Sequence, residues 1–386
     1  MKIGIITYWS SNNNYGQILQ CFALQKFLQI QGHTAFLIRY KPQKQKISFI
    51  YKIYKNLSWE KIKYRLSKQK KTDKEQEKKQ QELSLINQRL NKQREFEKFR
   101  AENLKYTDTI YTSLKELRKN PPKADLYICG SDQVWNNSMY DNETPAWFLD
   151  FGDSNIPRIS FAASIGRDLE VKELKIFKKL LSSFYKISVR EEKAKLLCDS
   201  IGIKNVKVVL DPTFLIPVEE YRKLQTQKTN SSPYIFIYIL NIASKEEIYW
   251  NSINNFAHNK KLSIRIVSSS GYIEANNFID DITFEEATIP EWLSAIDEAQ
   301  YVISTSFHGI VFCLKMHKPF LAVLLTNEYS SGNIRIQSLL KRIGLENRIY
   351  NPAYPIEVQI GKPINWEDID NQLNKLIGEA CEFLKI

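Results

Sequence analysis

Short runs of β-branched and aromatic residues recur along the chain, each followed by a longer stretch of helical pattern. The runs are KIGIITY, TAFLIRY, DLYICG, RISFAAS, YKISVR, VKVVL, YIFIYIL, SIRIVSS, YVIST and PFLAVLL. Strand–helix–strand repetition leaves few architectures open. Parallel strands need crossover connections, and the crossing helices cover the sheet faces. The expected class is therefore α/β. A chain of 386 residues is too long for one core, and about five strands fall in each half. Two Rossmann-like domains are expected, residues 1–187 and 188–386, the second closing with a C-terminal helix. The boundary is placed near Ser188, within the span from Ile187 to Pro217.

Composition refines this picture. The hydrophobic fraction is 43% and the charged fraction 25%, as in ordinary globular proteins. No apolar run approaches the roughly 18 residues that span a bilayer, and the first residues read as a β-strand, not a signal peptide. Five dispersed cysteines without CxxC spacing suggest reduced thiols in a cytoplasmic protein and no zinc site. The formal charge is +12, and residues 41–105 carry about that much alone, leaving the remainder near neutral. This stretch reads as a basic helical insertion in the first domain. Leu83, Ile86, Leu90, Phe96 and Phe99 recur at helical spacing, so one face has something to cover. The insertion is either a solvated helical excursion or a platform for an anionic membrane surface or lipid-linked substrate. No nucleic-acid module accompanies it.

Parallel sheets bind ligands at the carboxyl ends of their strands, so the residues that follow each strand are the candidates. After KIGIITY come small polar residues, then Asn14, Tyr15 and Gly16 at a helix start, where free N–H groups suit a phosphate or carboxylate. Gly16 allows an unusual backbone angle. After DLYIC comes GSDQVWNN. Ser131 and Asp132 are either helix caps or ligand contacts, and Trp135 is expected to face a cleft and a hydroxylated ligand. After YKISV, Arg190 opens a helix, where a cation is unfavourable unless an anion compensates. Either Glu191 and Glu192 pair with it, or it binds a ligand anion. Asp211 and Pro212 read as a structural turn. In STSFHGIVFCLKMHKPF, His308 stands at a helix start after Ser306. It is either structural or, held neutral by the helix dipole, a proton exchanger. Arg335 repeats the logic of Arg190. There is no GxGxxG, P-loop, GxSxG or HExxH, which argues against common dinucleotide enzymes, NTPases, serine hydrolases and zinc proteases.

In order, Tyr15-Gly16, GSDQVWN from Gly130, SVRE from Ser188, DPT from Asp211, SFHG from Ser306 and Lys318-Pro319 resemble the polysaccharide pyruvyl transferase family. The resemblance implies two domains facing a cleft, the GT-B arrangement. It implies transfer of the enolpyruvyl unit of phosphoenolpyruvate onto two sugar hydroxyls as a cyclic ketal, with phosphate released and no further cofactor. Members with a described donor site pair an arginine with a Ser-x-Arg-Leu-His turn. Arg190 matches the first, His308 the last residue of the turn, and Ser306 stands where the turn's arginine would be. Arg335 is the expected replacement for that guanidinium. On this reading His308 moves protons, Asp132 orients the acceptor or acts as base, and Arg190 binds phosphate or carboxylate. Ser131, Trp135, Asn14, Tyr15 and Gly16 complete the site. The expected acceptor is a sugar of a surface polysaccharide precursor, including one on a polyprenyl diphosphate carrier, met at the inner face of the cell membrane. Two other classes fit the same residues: a glycosyltransferase with a nucleotide-sugar donor, and a non-catalytic sugar- or anion-binding protein of polysaccharide assembly.

Overall fold

The computed structural model describes residues 1–42, 93–227, 232–242, 244–269 and 284–385. All ten expected strands are present, and an eleventh, at Tyr106–Tyr111, joins them. Its sequence, YTDTIY, lacks the apolar run of an interior strand, and it lies at a sheet edge. In chain order the strands are β1 (Lys2–Ile6), β2 (Thr34–Tyr40), β3 (Tyr106–Tyr111), β4 (Leu126–Cys129), β5 (Arg158–Ala163), β6 (Lys186–Val189), β7 (Lys207–Val208), β8 (Tyr234–Ile239), β9 (Ser263–Ser268), β10 (Tyr301–Ser304) and β11 (Phe320–Ala322). They form two sheets, ordered β3-β2-β1-β4-β5-β6-β7 and β11-β10-β8-β9, with every pairing parallel.

The division between domains lies later than Ser188. Strands β6 and β7 pair within the first sheet, with Ser188 opposite Lys207, so the first domain extends at least to Val208. The strands divide seven to four, not evenly. Periodicity along the chain reveals a strand but not the sheet it joins.

Strand order reverses direction between β1 and β4 in the first sheet, and between β8 and β10 in the second. Such switch points open a crevice at the carboxyl edge of a parallel sheet. The loops after β1, β4 and β10 all carry expected site residues.

The two domains share one apolar core. The helix Tyr15–Ile30, which follows β1, is buried nearly all round because it packs under its own sheet and against the second domain. Tyr15 stacks on Trp292 at 5.2 Å between ring centroids and donates its hydroxyl to the Ala287 carbonyl at 2.6 Å. Burying side chains of this size stabilises the seam by roughly 1.5–3 kcal/mol each. The C-terminal helix Trp366–Phe383 is held to the second domain through His317, which stacks on Trp366 and lies 2.9 Å from Asp370. Its far end returns to the first domain, where Phe383 meets Phe161.

Residues 43–92 of the basic insertion lie outside the described residues, and with them its expected membrane platform. Its last part is described. Phe96 and Phe99 are buried on the helix Phe96–Asn103, as their spacing predicts. Arg94 pairs with Glu286 of the second domain at 2.6 Å, and Arg100 donates to Asn12 at 2.8 Å. These two cations serve interior contacts. Among the described residues no helix is long and apolar enough to cross a membrane.

Candidate active site

The loop after β4 is shaped by backbone constraints. Gly130 has a φ of 105°, which favours glycine, and the Gly130–Ser131 peptide is cis. Asp132 follows with a φ of 71°, in the left-handed region that aspartate tolerates better than most residues. The turn lays Asp132 across the end of β5, where its carbonyl accepts from the Ser164 amide at 2.9 Å. Ser131 thereby faces inward and donates toward the Asp211 carboxylate and the Ala162 carbonyl, each at 3.0 Å.

Arg190, one residue beyond β6, reaches the same place. It donates to Asp211 at 2.8 Å and to Asp132 at 3.2 Å, and its guanidinium lies 4.7 Å from the centroid of the Phe307 ring. The Glu191 charge acts on it from nearby, but Glu191 accepts its hydrogen bonds from Ser164 and the Ile165 amide. Arg190 was expected to bind phosphate or carboxylate of a ligand. In the structure its terminal nitrogens meet two protein carboxylates, its Nε has no hydrogen-bond partner among the described residues, and its side chain is only 2% exposed. A guanidinium taken this far from water needs such fixed counter-charges.

Asp211 was expected to be a plain turn residue. It does cap the turn, accepting from the Thr213 amide and hydroxyl at 3.0 and 2.7 Å. Its other oxygen meets Ser131 and Arg190 and lies 3.5 Å from His308 Nε2. Burial pushes this carboxyl up, but His308, Arg190 and the Thr213 amide outweigh it and hold it well below the ordinary range. Burial likewise raises Asp132, and Arg190, His308 and Arg335 bring it below its usual value.

His308 arrives from the second domain. Ser306 caps its helix, Phe307–Lys315, by accepting from the Gly309 amide, and its own amide donates to Ser304 at 3.0 Å. Ser306 is therefore a helix cap, 2% exposed. The cap sets His308 in the first turn, buried, with Nε2 toward Asp211 and without a hydrogen-bond partner among the described residues. The other side of the ring rests on Gly16, where any side chain would collide with it. Gly16 is needed for this close approach and not for its backbone angle, since its φ is not positive.

Arg335 joins the group from the helix Asn333–Arg342. Its Nη1 lies 3.9 Å from Asp132, and its Nε donates to the Gly332 carbonyl at 3.3 Å. Burial and the neighbouring Arg190 press it down to about 10. Its side chain is 13% exposed, against 2% for Arg190. Of the two arginines it is the more open to a ligand anion.

Two expected contacts, Trp135 and Tyr15, lie in the core, and a third, Asn14, is a helix cap. Trp135 is fully buried, stacks on Phe148 at 5.2 Å and donates its indole N–H to the Trp147 carbonyl at 3.1 Å. It is a core residue and faces no cleft. Tyr15 is likewise buried, as the interdomain stack already described. Asn14 caps its helix, accepting from the Gln17 amide at 3.2 Å. The signal that could have promoted Asp211 was its place directly after a strand, the same position that marked Asp132 and Arg190.

Six polar side chains from five separate segments thus meet at the seam: Ser131, Asp132, Arg190, Asp211, His308 and Arg335. Two carboxylates balance two guanidinium groups, and an imidazole stands beside them.

A family model for polysaccharide pyruvyl transferases matches residues 14–327. The chain belongs to that family. No curated protein matches the sequence. Among solved structures, the chain is similar to the UDP-GlcNAc 2-epimerase of Methanocaldococcus jannaschii, at 13% identity and a TM-score of 0.49 over 97% of this chain and 99% of that one. The Neisseria meningitidis UDP-GlcNAc 2-epimerase gives 13% and 0.44, over 99% and 100%. MurG of Acinetobacter baumannii gives 11% and 0.42, over 98% and 94%.

Proposed function

We propose that this member of the polysaccharide pyruvyl transferase family moves the enolpyruvyl unit of phosphoenolpyruvate onto two hydroxyls of a sugar, forming a cyclic ketal. The observation that carries the reading is the meeting of the family's separate motifs in one charged cluster at the domain seam. Phosphoenolpyruvate carries about three negative charges near neutral pH, and a site for it needs an accessible cation. Arg335 supplies that charge. Arg190 instead holds Asp132 and Asp211 in place.

The protons balance simply. One sugar oxygen bonds to C2 as C3 gains a proton. The second sugar oxygen then bonds to C2 as the bond from C2 to the phosphate oxygen breaks. Of the two hydroxyl protons, one ends on C3 and the other on the departing phosphate. One imidazole can accept a proton and return it, so His308 carries the transfer, with Asp211 orienting the ring. Asp132 orients the acceptor. The reaction belongs in the cytoplasm, where phosphoenolpyruvate is made, at the inner membrane face if the acceptor is lipid-linked.

The test is calorimetric titration with phosphoenolpyruvate and, separately, with UDP-sugars, followed by phosphate-release assays. Phosphoenolpyruvate should bind, and His308→Ala should abolish turnover while leaving that binding largely intact. Saturable nucleotide-sugar binding without phosphoenolpyruvate binding would replace this reading with a glycosyltransferase.

A further inference from the structure

Beside the charged cluster lies a cavity of about 750 Å³ that the proposed chemistry leaves unused. It opens at the carboxyl ends of β1 and β2, within the roughly 300–1,000 Å³ typical of small-molecule sites. Its walls are aromatic: Tyr8 and Trp9 follow β1, Tyr40 ends β2, and Tyr140 and Trp147 come from the segment beyond β4.

These rings are held in place. Tyr8 and Tyr40 pack on Trp147 at 4.9 and 5.2 Å. The Trp9 indole N–H donates to the Tyr40 carbonyl at 3.0 Å, and the Tyr40 hydroxyl donates to Glu143 at 2.5 Å. Asn137 and Asn142 lie among them. Fixed ring faces bordered by amides match a pyranose, which has apolar C–H faces and a rim of hydroxyls. Charge narrows the choice further. Among the described residues, two carboxylates, Asp141 and Glu143, line the cavity against one cation, Lys41. That balance disfavours a phosphate or diphosphate and suits an uncharged sugar.

No side chain of the cluster lines the cavity, but Tyr8 links it to the loop that carries Asp132. The Tyr8 hydroxyl donates to the Gln133 carbonyl at 3.3 Å, and Gln133 follows Asp132 in the chain. We infer that this cavity is the acceptor subsite, where an uncharged glycosyl unit stacks on Tyr8, Trp9 and Tyr140, with the buried Trp147 as their support, while its hydroxyls reach toward the seam. The occupant's role rests on the transferase reading, but the test separates the two.

The experiment uses the full chain and a panel of methyl pyranosides (gluco, galacto, manno and N-acetylgluco), followed by saturation-transfer NMR titration. Tyr140 is 52% exposed and Asn142 lies at the surface, so Tyr140→Ala and Asn142→Ala should leave the thermal midpoint unchanged. At least one glycoside should bind saturably, and each substitution should weaken it about 5- to 10-fold. Phosphoenolpyruvate titration of the same variants should be unaltered. Three results would overturn the inference: no glycoside binding, binding indifferent to both substitutions, or displacement of the glycoside by UDP. Glycoside binding without phosphoenolpyruvate binding would keep the subsite and reject the donor. Phosphoenolpyruvate binding without glycoside binding would do the reverse.

Discussion

Replacing Gly16 by alanine sets two physical effects against each other. Gly16 lies in the first turn of the helix Tyr15–Ile30, where alanine is favoured by about 1 kcal/mol on helix propensity alone. A Cβ built there would stand 2.5 Å from His308 Cβ and closer still to Nδ1 and Cγ, whereas ordinary contact begins near 3.4 Å. The His308 ring must therefore retreat by about 1 Å. It has little room, with Asp211 at 3.5 Å from Nε2 and Phe307 packed beside it. Overpacking costs about 1–3 kcal/mol, so the net loss of stability is up to about 2 kcal/mol. The effect on rate is larger, because misplacing a reacting group by about 1 Å costs roughly 10²-fold. Gly16→Ala should lower the rate of phosphate release from phosphoenolpyruvate about a hundredfold, with a thermal midpoint only a few degrees lower. The two readouts are followed together by a coupled phosphate assay and circular dichroism melting. A raised midpoint with full activity would show that helix propensity decides the outcome and would refute the proposed placement of His308.

Asp211→Asn removes a buried charge shared by Arg190 and His308 and should destabilise the fold by roughly 3–5 kcal/mol; a melting temperature within a degree of the parent would contradict the network. Arg335→Ala should weaken phosphoenolpyruvate binding by about 10- to 100-fold, the worth of one charged hydrogen bond, and unchanged calorimetric affinity would remove Arg335 from the donor site. Glu173 accepts from Arg167 at 2.8 Å and from the Met139 amide at 3.0 Å, and these bonds bring its carboxyl down to about 2 from an ordinary 4.5. Because the folded value is depressed, its contribution to stability is full above about 4.5 and is lost as pH falls through about 2. Glu173→Gln should therefore be less stable than the parent at pH 6 and converge with it near pH 2, as read from urea unfolding across that range. A constant difference would place its effect outside ionisation.

Much of the fold was legible locally. A strand announces itself by β-branched and aromatic residues, so ten of the eleven were readable, and only the polar edge strand Tyr106–Tyr111 escaped. Positions directly after strands were informative for the same reason: Ser131, Asp132, Arg190 and His308 all reach the cluster. The direction of a side chain was not legible. Trp135 lies three residues beyond Asp132, yet it turns into the core against Phe148 while Asp132 turns to the seam. The carboxylate partners of Arg190 were not legible either, because Asp132 and Asp211 are 58 and 21 residues away.

The α/β class, the order of elements and the strand ends where function would gather can be read from the chain alone, since each depends on neighbours along it. Tertiary structure decided which domain β6 and β7 joined, that Gly16 makes room for an imidazole from the other domain, and that Asp211 is central to the cluster. Those outcomes depend on strand order within the sheets and on how the two sheets face each other. Buried charges then select their partners by proximity in space, because a charge removed from water is stable only beside another that compensates it.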